Sequence, residues 1–315
     1  MVDSRLDKAV ALVYDPVALN RNSTRNILHS IGFRRIITVT AIGELEAALG
    51  EGEADLLLCE VSGADGDITG LIHRIRHGEV GKNPFLVIVA TAWVSASEIV
   101  KEVIGCGADD LIIRPFSIKQ LADRLKVHID NRKGFVVTSD YIGPDRRRDP
   151  TRQNTIELLA VPNSLKIKST DGADTDASVA DVAAQIARTR IALNIEKMKR
   201  HAFQLGIMAT FLEEGAKGED DELLKADVQK ANAVASDLAK RAKESEMPQV
   251  TEMCRALGGI LESIKHRLEA EKNVQLMNEL VSGMHVMLNP NQDAKAHAAE
   301  LETTIEKIRS RGRSY

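Results

Sequence analysis

Five short apolar runs, each followed by an amphipathic segment, fill about the first 130 residues and restrict what that part of the chain can fold into. The runs are AVALVY (9–14), RIITVTA (35–41), DLLLCEV (55–61), PFLVIVAT (84–91) and DLIIRPF (110–116). The segments after them are NRNSTRNILHSIGF, IGELEAALG, ITGLIHRIRHG, SASEIVKEVIGCG and IKQLADRLKVHID. Their apolar residues recur at helical spacing, with Gly near several ends. Strands that alternate with helices of this length predict βα units, and so a doubly wound α/β fold with a five-stranded parallel sheet. In such a sheet, ligands and chemistry gather at the carboxyl ends of the strands, near the point where strand order reverses. The residues at those ends are Tyr14, Asp15 and Pro16 after the first run, Glu60 after the third, Thr91 after the fourth, and Arg114 and Pro115 after the fifth.

Four stretches at these places occur in a telling order: VYDP, ADLLLCE, VATA and GADDLIIRPF. Together they resemble the receiver domain of two-component response regulators, the CheY-like fold, over about residues 7–132. The last match, to the family's GADDYLxKPF, is the strongest. The resemblance implies two acids after the first strand that hold magnesium together with an acceptor aspartate, and a lysine that holds the phosphoryl oxygens. This chain departs from that pattern. Asp15 aligns with the first acid and Pro16 stands where the second should be. Glu60 takes the acceptor position, Arg114 takes the lysine's, and Leu111 replaces the aromatic residue whose rotamer usually reports activation. Only Asp15 and Thr91 keep the expected chemistry.

These departures have physical consequences. Magnesium demands near-octahedral oxygen ligands at about 2.0–2.1 Å, so a site resting on Asp15 alone is weak, and no cofactor is expected. Phosphoryl transfer depends on positioning, where an error of about 1 Å can cost on the order of a hundredfold. The expectation is an atypical, degenerate receiver, a pseudo-receiver. Glu60 is negative without phosphate, and if Arg114 reaches it, the two would form a bidentate, planar-matched pair that holds the loop ends in one state. Otherwise both are solvated strand-end residues, and the module keeps the fold without the regulation.

Residues 133–174 read as a basic, extended connector. From Arg124 to Arg152 there are eight Lys and Arg against four Asp. Gly143-Pro144-Asp145 has turn chemistry, and TIELLAVPNSLKIKSTDG suggests one or two strands. Arg146, Arg147, Arg148 and Arg152 form the basic patch. One use is a linker that packs Phe135 and Tyr141 while its arginines pair with nearby carboxylates. Others are an acidic partner surface, nucleic acid or a nucleotide messenger. RRRDPTR has an RRxxxR spacing similar to the cyclic di-GMP loop of PilZ domains, but no D/NxSxxG motif follows it. Aromatic interleaving is thin for nucleic-acid binding.

From about 175 to 315 the period is helical throughout, which predicts a bundle of four or five helices. Leu224, Val228, Ala231, Ala235 and Leu238 form one apolar seam, Met253, Leu257, Ile260 and Ile264 a second, and Leu301, Ile305 and Ile308 a third. Asp174-Thr175-Asp176 offers an N-cap, Gly215 and Gly218 breaks, and Pro248 and Pro290 later boundaries. Met277, Met284 and Met287 read as core filler. The seams serve equally to close one chain or a homodimer. A helical partner of receivers would resemble a phosphotransfer bundle carrying HxxKG, but His201, His266, His285 and His297 all lack Lys and Gly at those offsets.

Net charge is −4, with 28% charged residues, so no global basic excess points to nucleic acid. No apolar run approaches the ~20 residues of a membrane span, and the charged N-terminus is unlike a signal peptide, so a cytoplasmic location is expected. Cys59, Cys106 and Cys254 lack CxxC spacing and read as reduced packing residues. No catalytic constellation emerges. The expectation is a two-component-type signalling protein that binds rather than catalyses, with a histidine kinase, a phosphotransfer protein or another response regulator as partner. The alternatives are a phosphorylation-driven regulator that switches the helical region, and a binder of nucleic acid or a nucleotide messenger through the arginines.

Overall fold

The computed structural model describes residues 6–62, 66–147, 157–170, 176–290 and 294–310. The chain divides into two compact units, Met1–Arg190 and Ile191–Tyr315.

In the first unit, β1 (Val10–Tyr14), α1 (Ala18–Ile31), β2 (Arg35–Val39), α2 (Ile42–Glu51), β3 (Leu56–Glu60), α3 (Ile68–Arg76), β4 (Val87–Ala92), α4 (Ser97–Gly105), β5 (Asp110–Ile113) and α5 (Ile118–Asp130) follow in order. The strands form one parallel sheet in the order β2-β1-β3-β4-β5. That order is the doubly wound arrangement of flavodoxin and CheY-type sheets. β1, β3 and β4 are buried along their whole length, as strands covered by helices on both faces must be.

The period of two along each strand sorts its residues between two cores. Leu12, Leu57, Cys59, Ile88 and Ala90 pack with Leu45, Leu71, Ile75 and Val103 of α2, α3 and α4. Ala11, Val13, Leu56, Leu58, Val87 and Val89 pack with Leu28 of α1 and with Leu121 and Leu125 of α5. Ser117 and Gln120 make a reciprocal capping box that starts α5.

The next residues fold back onto this unit. β6 (Phe135–Val137) and β7 (Ile142–Pro144) pair antiparallel, and Leu159 bridges to the free side of Phe135. The hairpin loop is Thr138–Tyr141 and not Gly143-Pro144-Asp145. Thr138 Oγ1 accepts from the amides of Asp140 (3.3 Å) and Tyr141 (3.0 Å), and the Thr138 amide donates to the Tyr141 carbonyl at 2.8 Å. A hydroxyl that mimics a backbone turn therefore outcompetes the Gly-Pro-Asp signal. Gly143 serves a close approach instead, since a Cβ there would come within 2.8 Å of Gly107 Cα.

The stretch NSLKIKS forms the short helix α6 (Ser164–Ser169) and not a strand. The Asn163 side chain accepts from the Lys166 amide at 3.1 Å, and Leu165 is buried in the α1/α5 core. Its alternation of apolar and basic residues spans too few positions to separate the two periods, and the N-cap decides.

The second unit is helical. α7 (Asp176–Lys217) enters it from residue 191, followed by α8 (Asp221–Glu244), α9 (Pro248–Lys265), α10 (Ala270–Leu288) and α11 (Ala294–Ser310). Asp174 and Thr175 lie outside the described residues. Gly215 sits inside α7 against Leu224, where it permits close helix packing and does not break the helix. Gly218 follows the last turn, and Pro248 takes the first position of α9, where its missing N–H costs nothing.

The α8 seam is buried as its spacing predicts. In α9 the deepest stripe is Val250, Cys254, Leu257, Leu261 and Ile264, and Met253 and Ile260 sit at its edge. Met277 and Met284 are core residues, whereas Met287 is 40% exposed. Leu301, Ile305 and Ile308 are half-buried. A polar centre joins α7 to α8: Asp237 accepts from Arg241 Nε at 2.8 Å and pairs with His201 Nε2 at 2.6 Å, and Arg241 Nη1 donates to Asn194 Oδ1 at 2.9 Å. Burial alone would raise the Asp237 pKa, but hydrogen bonds from His201 and Arg241 hold it far below the usual range. Among the described residues no helix is long and apolar enough to cross a membrane.

Candidate functional site

Because β1 and β3 are neighbours while their helices run to opposite faces, the carboxyl ends of β1, β3, β4 and β5 converge on one crevice. Asp15 lies just past β1, Glu60 closes β3, Thr91 lies near the end of β4, and Arg114 follows β5. The structure brings all four into one hydrogen-bonded group. Arg114 Nε donates to Glu60 Oε2 at 2.8 Å. Its Nη2 donates to Asp15 Oδ2 at 3.2 Å and to Thr24 Oγ1 at 3.1 Å. Thr91 Oγ1 donates to Glu60 Oε2 at 2.8 Å.

The pairing differs from a two-pronged match to Glu60. One edge of the guanidinium spans two carboxylates, one contact each, and adds a helix hydroxyl. The group is also not a surface feature: Asp15 and Thr91 are fully buried, Glu60 is 2% exposed and Arg114 is 9% exposed. Arg114 stacks over the Phe116 ring with its Cζ 5.0 Å from the centroid. Its own amide is held by the Ala92 carbonyl at 2.7 Å. Pro115 follows through a cis peptide bond and forms none of the charged contacts described.

The remaining carboxylate oxygens are engaged by backbone. Glu60 Oε1 accepts from the Ser62 amide and Asp15 Oδ1 from the Val17 amide, both at 2.9 Å. One buried cation thus faces two acids, and the net negative charge is offset by the Val17 and Ser62 amides and the Thr91 hydroxyl, while Thr24 accepts from Arg114. Burial pushes the Asp15 pKa up, and the nearby Glu60 charge adds to this. The Val17 amide and Arg114 oppose it without cancelling it.

The arrangement does not suit the magnesium ion that the receiver resemblance implies. Pro16 supplies no second acid, and every oxygen of Asp15 and Glu60 already accepts a hydrogen bond. The guanidinium fills the position between the two carboxylates where a cation would have to bind. Among the described residues no three His, Cys, Asp or Glu side chains are grouped to hold a metal ion.

Thr24 and the Ser62 amide were not visible to strand-end reasoning. Thr24 shares a buried helix face with Leu28 and Ile31. A hydroxyl at an otherwise apolar helix position was its only sequence signal. Leu111 is half-buried beside the α2–α4 core and makes no contact described with the charged group.

A second buried charge centre holds the amino ends of the strands. Asp109 accepts from Arg76 Nη2 (2.8 Å), Arg132 Nε (2.9 Å), Arg132 Nη2 (3.0 Å) and the Ile88 amide (2.8 Å). Both guanidinium groups lie over Phe135, at 5.1 and 5.2 Å from its centroid. Lys168 of α6 pairs with the buried Asp55 at 2.8 Å. The basic connector is thus partly consumed in holding itself to the sheet.

Of its patch, Arg147 pairs with Asp145 at 2.8 Å, and Arg146 turns inward to the Ala108 carbonyl. Arg148 and Arg152 lie outside the described residues. In the helical unit, His201 is buried in its pair with Asp237, and His266 is exposed beside Glu262. His285 is buried, and the side chain of His297 lies outside the described residues.

No protein-family model matches the chain, and no curated protein matches it. Among solved structures it is similar to a two-component response regulator from Clostridium difficile, with 20% identity and TM-score 0.35 over 39% of this chain and 97% of that one. It is similar to a response regulator from Thermotoga maritima at 23% identity and TM-score 0.34, over 38% and 95%. It is also similar to the chemotaxis protein CheY4 of Vibrio cholerae at 18% identity and TM-score 0.34, over 38% and 96%.

Proposed function

We propose that this protein is a two-component-type signalling protein whose receiver-like unit is held in one state by its own ion pair, and which acts by docking a partner rather than by catalysis. The observation that carries this reading is the Arg114 guanidinium spanning buried Asp15 and Glu60. A conventional receiver gains its negative group and the matching cation contact on phosphorylation. Here both are present in the covalent structure.

An added phosphoryl group would bring further negative charge into a buried site that already has two acids for one cation, at a steep desolvation cost. Both Glu60 oxygens already accept hydrogen bonds, one on Oε1 and two on Oε2, which lowers their nucleophilicity. Exposed apolar side chains beside the site, Val17 and Leu19 at the start of α1 and Trp93 and Val94 on the loop after β4, supply surface suited to a protein partner. The partner class that fits is a histidine kinase, a phosphotransfer protein or another response regulator, with the helical unit as an output or docking module.

The test is incubation with a small phosphodonor and magnesium, followed by intact mass, on the natural protein and on Glu60→Asp. The expected result is no adduct on the natural protein, whether or not the shorter acid restores one. A stable adduct on Glu60 of the natural protein would replace this reading with a phosphorylation-driven switch.

A further inference from the structure

The carboxyl end of α4 and the β6–β7 hairpin line an open pocket of about 300 Å³ that the site above does not use. Its walls include Ile104, Gly105, Val136, the Tyr141 ring and Asp145, and Arg146 and Arg147 also line it. The volume lies at the lower end of the range for small-molecule sites.

Two features show a preformed site and not a loose groove. Tyr141 donates its hydroxyl to the Pro144 carbonyl at 2.8 Å, and its ring lies so close over Gly143 that a Cβ there would come within 2.9 Å of its Cζ. The ring is therefore fixed before anything binds.

The second feature is charge. Arg147 already has Asp145, by two contacts of 2.8 and 3.1 Å. Arg146 is half-buried, donates to the Ala108 carbonyl, and keeps an Nε that is buried without a partner. Among the described residues no carboxylate pairs with it. A half-buried guanidinium with no carboxylate partner gains from a counter-ion, and an anion in the adjoining pocket would supply one.

We propose that this pocket binds a small aromatic anion, its ring between Tyr141, Ile104 and Val136 and its phosphate or carboxylate on Arg146. Ring stacking on a fixed tyrosine supplies the apolar part. The charge-assisted bond to Arg146 sets the orientation. Such a ligand would join α4 to the hairpin, two elements far apart in sequence.

The test uses the full chain with naphthyl phosphate and naphthoate as probes, read by calorimetry and by amide chemical shifts. Gly105→Leu is the deciding variant. A Cβ at Gly105 meets nothing within 4 Å, and leucine is the better helix former, so the fold is kept while the pocket is filled. The expected result is one saturable site that shifts the Gly105 amide. Gly105→Leu and Arg146→Gln should each weaken it by about tenfold or more, and Arg147→Gln combined with Asp145→Asn, which removes that pair as a unit, by less than about twofold. Retention of the natural thermal transition in Gly105→Leu shows that the loss is local. No saturable binding of either probe overturns the proposal, as does binding that Gly105→Leu leaves unchanged. Equal binding of the uncharged naphthalenemethanol would overturn the role given to Arg146.

Discussion

At the scale of single residues, the decisive position is 114, where the chain has arginine and the receiver resemblance implies lysine. An ammonium is a point charge on a flexible stem, whereas a guanidinium can hold several acceptors in one plane. Arg114 uses this to reach Glu60, Asp15 and Thr24 together. Removing it leaves two buried carboxylates facing each other. Arg114→Met should therefore cost about 3–5 kcal/mol in urea unfolding at unchanged m-value, and Arg114→Lys less.

The pH dependence of that cost has a definite sign. Without Arg114 the Asp15 pKa, already raised by burial, rises further. A carboxyl with a raised folded-state pKa gains stability as pH falls through that value towards its ordinary one. The deficit of Arg114→Met should accordingly shrink on acidification, and a deficit that grows would show that the acids are not the source.

Asp15, Glu60, Thr91 and Arg114 were legible in the sequence because strand ends in a doubly wound sheet have fixed places. The Arg114–Glu60 pair was one of two readings open in the sequence, whereas the contacts to a helix hydroxyl and two backbone amides were not legible, since no side-chain pattern displays them.

At the scale of elements, the GADD sequence at 107–110 acquires a physical meaning beyond its resemblance. Gly107 has φ +94°, and a Cβ there would come within 2.3 Å of the Ile142 carbonyl, so the hairpin can lie against it only if it is glycine. Asp109 then binds Arg76 and Arg132, which both lie over Phe135. Burial pushes the Asp109 pKa up, but the charges of the two arginines outweigh it and carry it down to about 2. The same burial draws Arg76 down to about 10, so the group stays fully charged at neutral pH.

Because the Asp109 value is depressed in the folded state, its contribution is complete above the ordinary carboxylate value and is lost as pH falls through the folded one. Its size is on the order of 2 kcal/mol. Natural protein should lose this increment between about pH 4 and pH 2, whereas Asp109→Asn, destabilised by about 3–5 kcal/mol at neutral pH, should not. Hydrogen exchange of the β6–β7 amides should locate the loss at the hairpin. The hairpin itself was hard to read in advance, because its turn is closed by the Thr138 hydroxyl while the residues with turn chemistry serve packing.

At the scale of the whole molecule, the sheet is held at both ends by arginines with different consequences. Arg114 at the carboxyl ends occupies the position between two buried carboxylates. Arg76 and Arg132 at the amino ends, with Lys168 on Asp55, make residues 133–147 and 157–170 part of the first unit's packing. A resemblance that stops near residue 132 cannot reveal this, because hairpin and short helix both lie past the family's last motif.

The extension is therefore predicted to be a structural requirement of that unit. A chain cut after residue 132 exposes the core that Phe135 and Leu165 cover, at about 1.5–3 kcal/mol for each side chain. It also strips Asp55 of its lysine and two guanidinium groups of their shared ring. Those losses together are comparable with the roughly 5–15 kcal/mol that keeps a domain folded. Residues 1–170 should unfold cooperatively in urea, and residues 1–132 should show a much lower midpoint or bind hydrophobic dye without denaturant. Equal midpoints for the two would mean that the amino-end arginines merely tether the hairpin, and the boundary at 132 would then be the physical edge of the fold.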